Sequence, residues 1–169
     1  MRTVVRAIVV AAFLSAFAGI AIAEEDDNPA ALAKALPQAT VSLQQALKAS
    51  EREGKPISAK YELDHGALQL SVYTMKGDKF SEVVIDHKTG AITKAEKITD
   101  AEDLEDAQGQ GRAMAQAKVT LESAIENATK ANSGYRAVSI IPVLAAVVPM
   151  ANVTLMKGED VKKVSVQLD

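Results

Sequence analysis

Val41-Ser42-Leu43-Gln44-Gln45-Ala46-Leu47 and Val119-Thr120-Leu121-Glu122-Ser123-Ala124-Ile125 agree in residue type at every position that would face a core, 78 residues apart. A repeat at fixed spacing sets the architecture twice over, so it governs every later reading. In the first copy Leu43, Ala46, Leu47 and Ser50 fall at i, i+3, i+4 and i+7, and Leu121, Ala124, Ile125 and Ala128 do so in the second. That spacing gives each segment one narrow, alanine-rich apolar stripe, which suits a short helix packed closely on a sheet. Ser42 with Gln45 predicts a capping box; Thr120 predicts the N-cap of the second helix, with Glu122 favouring the positive end of its dipole.

Beyond each helix the period changes from helical to two. Ile57, Ala59, Tyr61 and Leu63 alternate with polar residues up to the turn Asp64-His65-Gly66, and Leu68, Leu70 and Val72 alternate after it. Lys76-Gly77-Asp78 predicts the next turn, Phe80 to Asp86 a third strand, and His87-Lys88-Thr89-Gly90 a turn into a fourth, Ala91 to Ile98. Tyr135 to Val143, Val148 to Met156 and Val161 to Leu168 predict the corresponding strands of the second copy, with Lys157-Gly158-Glu159 repeating the lysine-glycine turn. The sequence ends at Asp169, which this reading sets where the first copy has Asp86. Short connections force antiparallel neighbours. The expected fold is therefore α+β, a tandem repeat of one helix packed on an antiparallel meander, with a connecting helix. Its expected parts are a flexible segment 24–40, in which Ala30 to Leu36 predict a short helical turn ended by Pro37, a first repeat 41–98, a connecting helix 99–118 and a second, degenerate repeat 119–169. The connector is acidic at its start and carries Gly109 and Gly111, which predicts an imperfect, solvated helix.

Arg2 and Arg6, the apolar run Ala7 to Ile20 and the close Ala21-Ile22-Ala23 together make the three-part pattern of a cleavable secretory signal, with the cut after Ala23. Glu24-Glu25-Asp26-Asp27 follows, whereas a membrane anchor wants about 20 apolar residues and basic flanks. The expectation is a periplasmic or secreted protein with no membrane anchor after cleavage. Losing the two leader arginines leaves 17 basic against 22 acidic residues, a net charge of −5 without any basic block, which argues against a nucleic-acid partner. With no cysteine in the chain, neither disulfides nor thiol chemistry enters the argument.

The opening Ser42-Leu43 with Ala46 and the closing Val83-Val84-Ile85-Asp86-His87-Lys88-Thr89-Gly90 resemble the PepSY family. Thr120-Leu121 with Ala124, and Val166-Gln167-Leu168-Asp169, resemble the same motifs in the second copy. The resemblance implies a non-catalytic exported module that binds a protein or peptide, with inhibition of a peptidase as the suspected role. Physically, Asp86, Thr89 and Gly90 read as turn chemistry: a carboxylate for backbone amides and a glycine for positive φ.

Candidate chemistry is sparse. Asp64-His65 and Asp86-His87 fall at the same end of the expected meander, and carboxylate with imidazole suits a divalent transition metal or a proton switch. This is the basis of an alternative reading, a periplasmic metal or ligand sensor accessory to an envelope signalling system. No third or fourth ligand is evident, and solvated turn residues account for both pairs. No nucleophile elbow, phosphate loop or dinucleotide fingerprint is present, so the expectation is a protein that is not an enzyme and uses no cofactor. Val138 to Met150 is the most apolar stretch outside the leader; two prolines break it, and it predicts two buried strands and their connection.

Overall fold

A computed structural model describes residues 28–169. The leader with Ala21 and Ala23, and the acidic run 24–27, lie outside the described residues.

The class is α+β. Helix α1 (Pro29–Ala35) runs into a 3-10 turn (Leu36–Gln38), and α2 (Leu43–Ser50) follows. Strands β1 (Lys55–Asp64), β2 (Ala67–Lys76), β3 (Lys79–Ile85) and β4 (Ile92–Lys97) form the first meander. Helices α3 (Ala101–Gln116) and α4 (Leu121–Ala131) lead into the second, β5 (Arg136–Ala145), β6 (Val148–Lys157) and β7 (Asp160–Gln167). The capping box is present: Ser42 Oγ accepts the Gln45 amide at 3.2 Å and Gln45 Oε1 accepts the Ser42 amide at 2.7 Å. Thr120 Oγ1 caps α4 through the Ser123 amide at 3.2 Å. Each helix buries the stripe its spacing predicts, Leu43, Ala46, Leu47 and Ser50 in α2 and Leu121, Ala124, Ile125 and Ala128 in α4.

All seven strands join one antiparallel sheet in the order β4-β3-β2-β1-β5-β6-β7. The seam between the meanders is β1 against β5, where Ala59 pairs with Ile140, the residue 81 positions on. The register slips at Pro56/Ser58 in the first meander and at Ala137/Ser139 in the second, again 81 apart. The two halves are thus related by an approximate twofold axis through the Ala59–Ile140 pair. Helices stand 78 apart and strands 81, because α4 is one turn longer than α2. One hydrophobic cluster spans both halves, with Leu47, Ile125, Ile140 and Val72 fully buried.

Residues 29–38 are helical, in keeping with the short helical turn expected over Ala30 to Leu36 within the segment 24–40: Asn28 Oδ1 accepts the Ala30 and Ala31 amides, Pro29 opens the helix, and Arg136 holds the C-terminal end. The expectation for the connector is corrected: helix α3 is neither interrupted nor fully solvated, since Ala107, Gly111, Ala113 and Met114 are buried. A Cβ on Gly111 would stand 3.1 Å from Met75 Sδ and from Phe80 Cε1, so this glycine permits close approach to the sheet rather than breaking the helix. The apolar stretch Val138 to Met150 becomes parts of β5 and β6, buried at Val138, Ile140, Pro142 and Pro149. Its hairpin tip is open, with Val147 79% exposed.

Candidate functional site

The Asp-His turns lie at one end of the first meander. His65 (φ +47) and Gly66 (φ +80) form the two-residue turn between β1 and β2, as a hairpin with right-handed twist requires. The His65 side chain is 98% exposed, its Nε2 3.8 Å from Asp64 Oδ1. Asp86 Oδ1 accepts the Thr89 amide at 2.7 Å and the Lys88 amide at 2.9 Å, and Gly90 (φ +78) closes the turn by donating to Asp86 O. Those amides, Thr89 first, hold the Asp86 carboxyl below its ordinary range. The His87 carbonyl accepts the Thr40 and Val41 amides, which fastens the entry to α2 against the end of β3. His87 Nδ1 is buried and lacks a hydrogen-bond partner. Asp64, Asp86 and His87 border one hollow of about 200 Å³, and His65 is not among its walls. Among the described residues no three ligating side chains converge as a metal would need.

The second half has the same fastening without the Asp-Thr-Gly turn. Leu168 O accepts the Lys118 amide at 2.6 Å and the Val119 amide at 2.9 Å, so Leu168 stands where His87 does. Counting from the shared Lys-Gly turns, Val164 and Val166 take the places of Val83 and Ile85. Setting Asp169 against Asp86, as the motif suggests, is off by two residues because hydrogen bonding fixes the register.

The sheet face opposite α2 and α4 is clothed. The Ser58 hydroxyl meets Gln110 Oε1 at 2.6 Å, and the Lys55 ammonium donates to Met114 O at 3.2 Å. In the other half Arg136 donates from Nη1 to Leu36 O and Ala39 O, and from Nη2 to Val41 O and the Tyr61 hydroxyl. Arg136 is the residue 81 after Lys55, and Met114 the one 78 after Leu36. The 78-residue offset therefore reaches back before the helices, where Lys34-Ala35-Leu36 answers Arg112-Ala113-Met114 and Gln38-Ala39 answers Gln116-Ala117. This similarity could have been found in the letters. It makes α3 the counterpart of α1 rather than a mere connector.

Beside α3 the same face is polar. The Ser71 hydroxyl lies 2.8 Å from both Glu62 Oε1 and Glu82 Oε1 and can donate to either, while Lys60 Nζ pairs with Glu62 Oε2 at 2.5 Å. Burial works to lower the Lys60 pKa, but the bond and charge of Glu62 outweigh it and leave the ammonium raised. Lys60 also sits 5.7 Å from the centre of the Tyr73 ring, whose hydroxyl burial pushes up to about 12. Donor and acceptor groups here satisfy one another, which is the pattern of a cross-strand polar network. A larger hollow, about 500 Å³, lies between α1 and the second half, walled by Leu32, Val138, Ile141, Met156 and Lys163 among others.

The two sheet edges differ. On the first half β4 covers β3, in the register Ile85↔Ile92, Val83↔Ala95, Glu82↔Glu96 and Ser81↔Lys97. Beneath it Val83 is 0% and Ile85 2% exposed. Among the described residues no strand pairs with the outer edge of β7, and Val164 and Val166 are only half-buried.

Residues 40–96 match the PepSY family, described as peptidase propeptide and YPEB domain. No curated protein matches. Among solved structures, the chain is similar to the crystal structure of a candidate lipoprotein from Clostridium difficile 630, at 20% identity and a TM-score of 0.39. That likeness covers 72% of this chain and 80% of the other.

Proposed function

We propose that this chain is an exported, non-catalytic protein-binding module that holds a peptidase or a peptide in the manner of a propeptide. The observation carrying the reading is the match of residues 40–96 to a peptidase-propeptide family, on a sheet whose β7 edge no strand of the described residues covers. On the face opposite α2 and α4, α3 and the self-satisfied polar network leave little room for a partner, so the edge is the better surface. The second half reads as a degenerate copy of the same unit, supported by the shared bulge, turn and fastening to the helix. Each unit is better drawn from its preceding helix, α1 or α3, than from α2 or α4.

Export rests on the leader pattern Met1 to Ala23, with residence in the periplasm or outside the cell. N-terminal sequencing of the protein recovered from its host's envelope or medium should begin at Glu24, and an intact Met1 would overturn export. The binding role is tested by incubating the mature protein with a secreted thermolysin-type metallopeptidase. Dose-dependent loss of peptidase activity is expected. Unchanged activity, together with no cross-linked protein partner in the native host, would overturn the reading. The metal-sensor alternative at Asp64, His65, Asp86 and His87 is the weaker reading: Asp86 Oδ1 already accepts two amides, His65 faces solvent, and among the described residues no three ligating side chains converge.

A further inference from the structure

We infer that the outer edge of β7 receives an extended peptide strand as β3 receives β4, and that the strand carries an acidic residue opposite Lys163. The inference rests on the binding reading above and adds the place, the register and the charge.

The molecule supplies its own template. Because strands correspond at 81 residues, Phe80, Glu82, Val83 and Ile85 of β3 have Val161, Lys163, Val164 and Val166 of β7 in their places. On the first half β4 lies along that edge, Ile98 donates its amide to Phe80 O, and the valine and isoleucine beneath are sealed from solvent. The same positions on β7 remain half-buried, so a strand laid there would complete the burial that β4 completes on β3.

Among the described residues no strand bonds to this edge. The Leu168 amide donates inward to Pro149 O, and antiparallel pairing alternates along the strand. The amides of Val161, Lys163 and Ser165 therefore turn outward, where an added strand would meet them.

Charge names the occupant. On β3 the edge residue Glu82 has Glu96 directly opposite, a like-charge pair, and Lys94 beside them pairs with Glu96 at 2.9 Å, its ammonium raised first by Glu96 and further by Glu82 and Asp64. At the corresponding place β7 has Lys163, next to Lys162. A carboxylate in the place of Glu96, repelled by Glu82 on β3, would be attracted by Lys163 on β7, so the fitting strand has a carboxylate opposite Lys163, a small residue opposite Val164 and an aliphatic one opposite Val166. The segment 90–98 of this chain already meets that description in the β4 register, with Glu96, Ala95 and Ile92.

The test uses a capped peptide of residues 90–98 and its Glu96→Lys form, each titrated to millimolar concentration into the mature protein labelled for amide NMR. The first peptide should shift the amides of Val161, Lys163 and Ser165 and bind about two- to fivefold more tightly than the second, the range of a cross-strand charge pair. Lys163→Glu should reverse that order. Ser165→Pro removes one outward amide and leaves the β6 ladder whole, so it should abolish the shifts while the thermal transition stays in place. Absence of shifts on β7, shifts confined to other strands, or a preference indifferent to Lys163 would overturn the inference. So would β7-mediated dimerisation in sedimentation with no response to peptide, which would assign the edge to a second copy. Peptidase inhibition that survives Ser165→Pro would sink the edge while leaving the binding role standing.

Discussion

At the residue scale, the turn that ends β3 depends on one ionised carboxylate. The Asp86 pKa is depressed by the Thr89 and Lys88 amides, so its stabilising contribution is present above the unfolded carboxylate range and is lost as pH falls through the folded value. Asp86→Ala should therefore lower the melting temperature at neutral pH, and the gap to the parent should narrow below about pH 4 in thermal melts. Tyr73 behaves in the opposite direction. Its folded pKa is raised to about 12 by burial, so the contribution is whole below the ordinary tyrosine value and is lost as pH rises from about 10 towards 12. Burial raises Tyr61 as well, so alkaline titration followed at the tyrosinate absorbance should show late-ionising tyrosines, and Tyr73→Phe should remove the step at about 12. The β5–β6 hairpin offers a third test. Ala146 has φ +58, a strain of about 1 kcal/mol for an L side chain, partly offset by the greater chain entropy of glycine. Ala146→Gly should stabilise by about 0.5 kcal/mol in urea unfolding.

At the element scale, α3 contains two glycines with opposite roles. The nearest atom to a Cβ on Gly109 would be Arg112 Nη2 at 3.7 Å, ordinary contact, whereas one on Gly111 would press on Met75 and Phe80. Gly109→Ala should stabilise by up to about 1 kcal/mol through helix propensity. Gly111→Val should destabilise by about 1–3 kcal/mol through overpacking, both read from chemical denaturation. The letters show two glycines two residues apart and predict a weak helix. Only the sheet beneath separates a tolerated glycine from a required one.

At the scale of the whole molecule, the two halves share one sheet and one core, joined at the β1–β5 seam and by α2 against α4. Thermal unfolding should consequently be a single transition, with calorimetric and van't Hoff enthalpies equal; two resolved transitions would contradict the shared core. The sequence by itself determined the helices, because their capping box and i, i+3, i+4 stripes are local, and the strands and turns, because alternation and Gly-bearing turns are local too. It also held the correspondence of Leu36 with Met114, legible at the same 78-residue spacing that marks Leu43 and Leu121. Tertiary structure alone decided that Ala59 meets Ile140, that α3 lies on the face opposite α2 and α4, and that β4 covers β3 while no strand of the described residues covers β7. The physical reason is that periodicity states which face of an element is apolar, whereas the partner of that face is chosen by the fit of surfaces far apart in the chain.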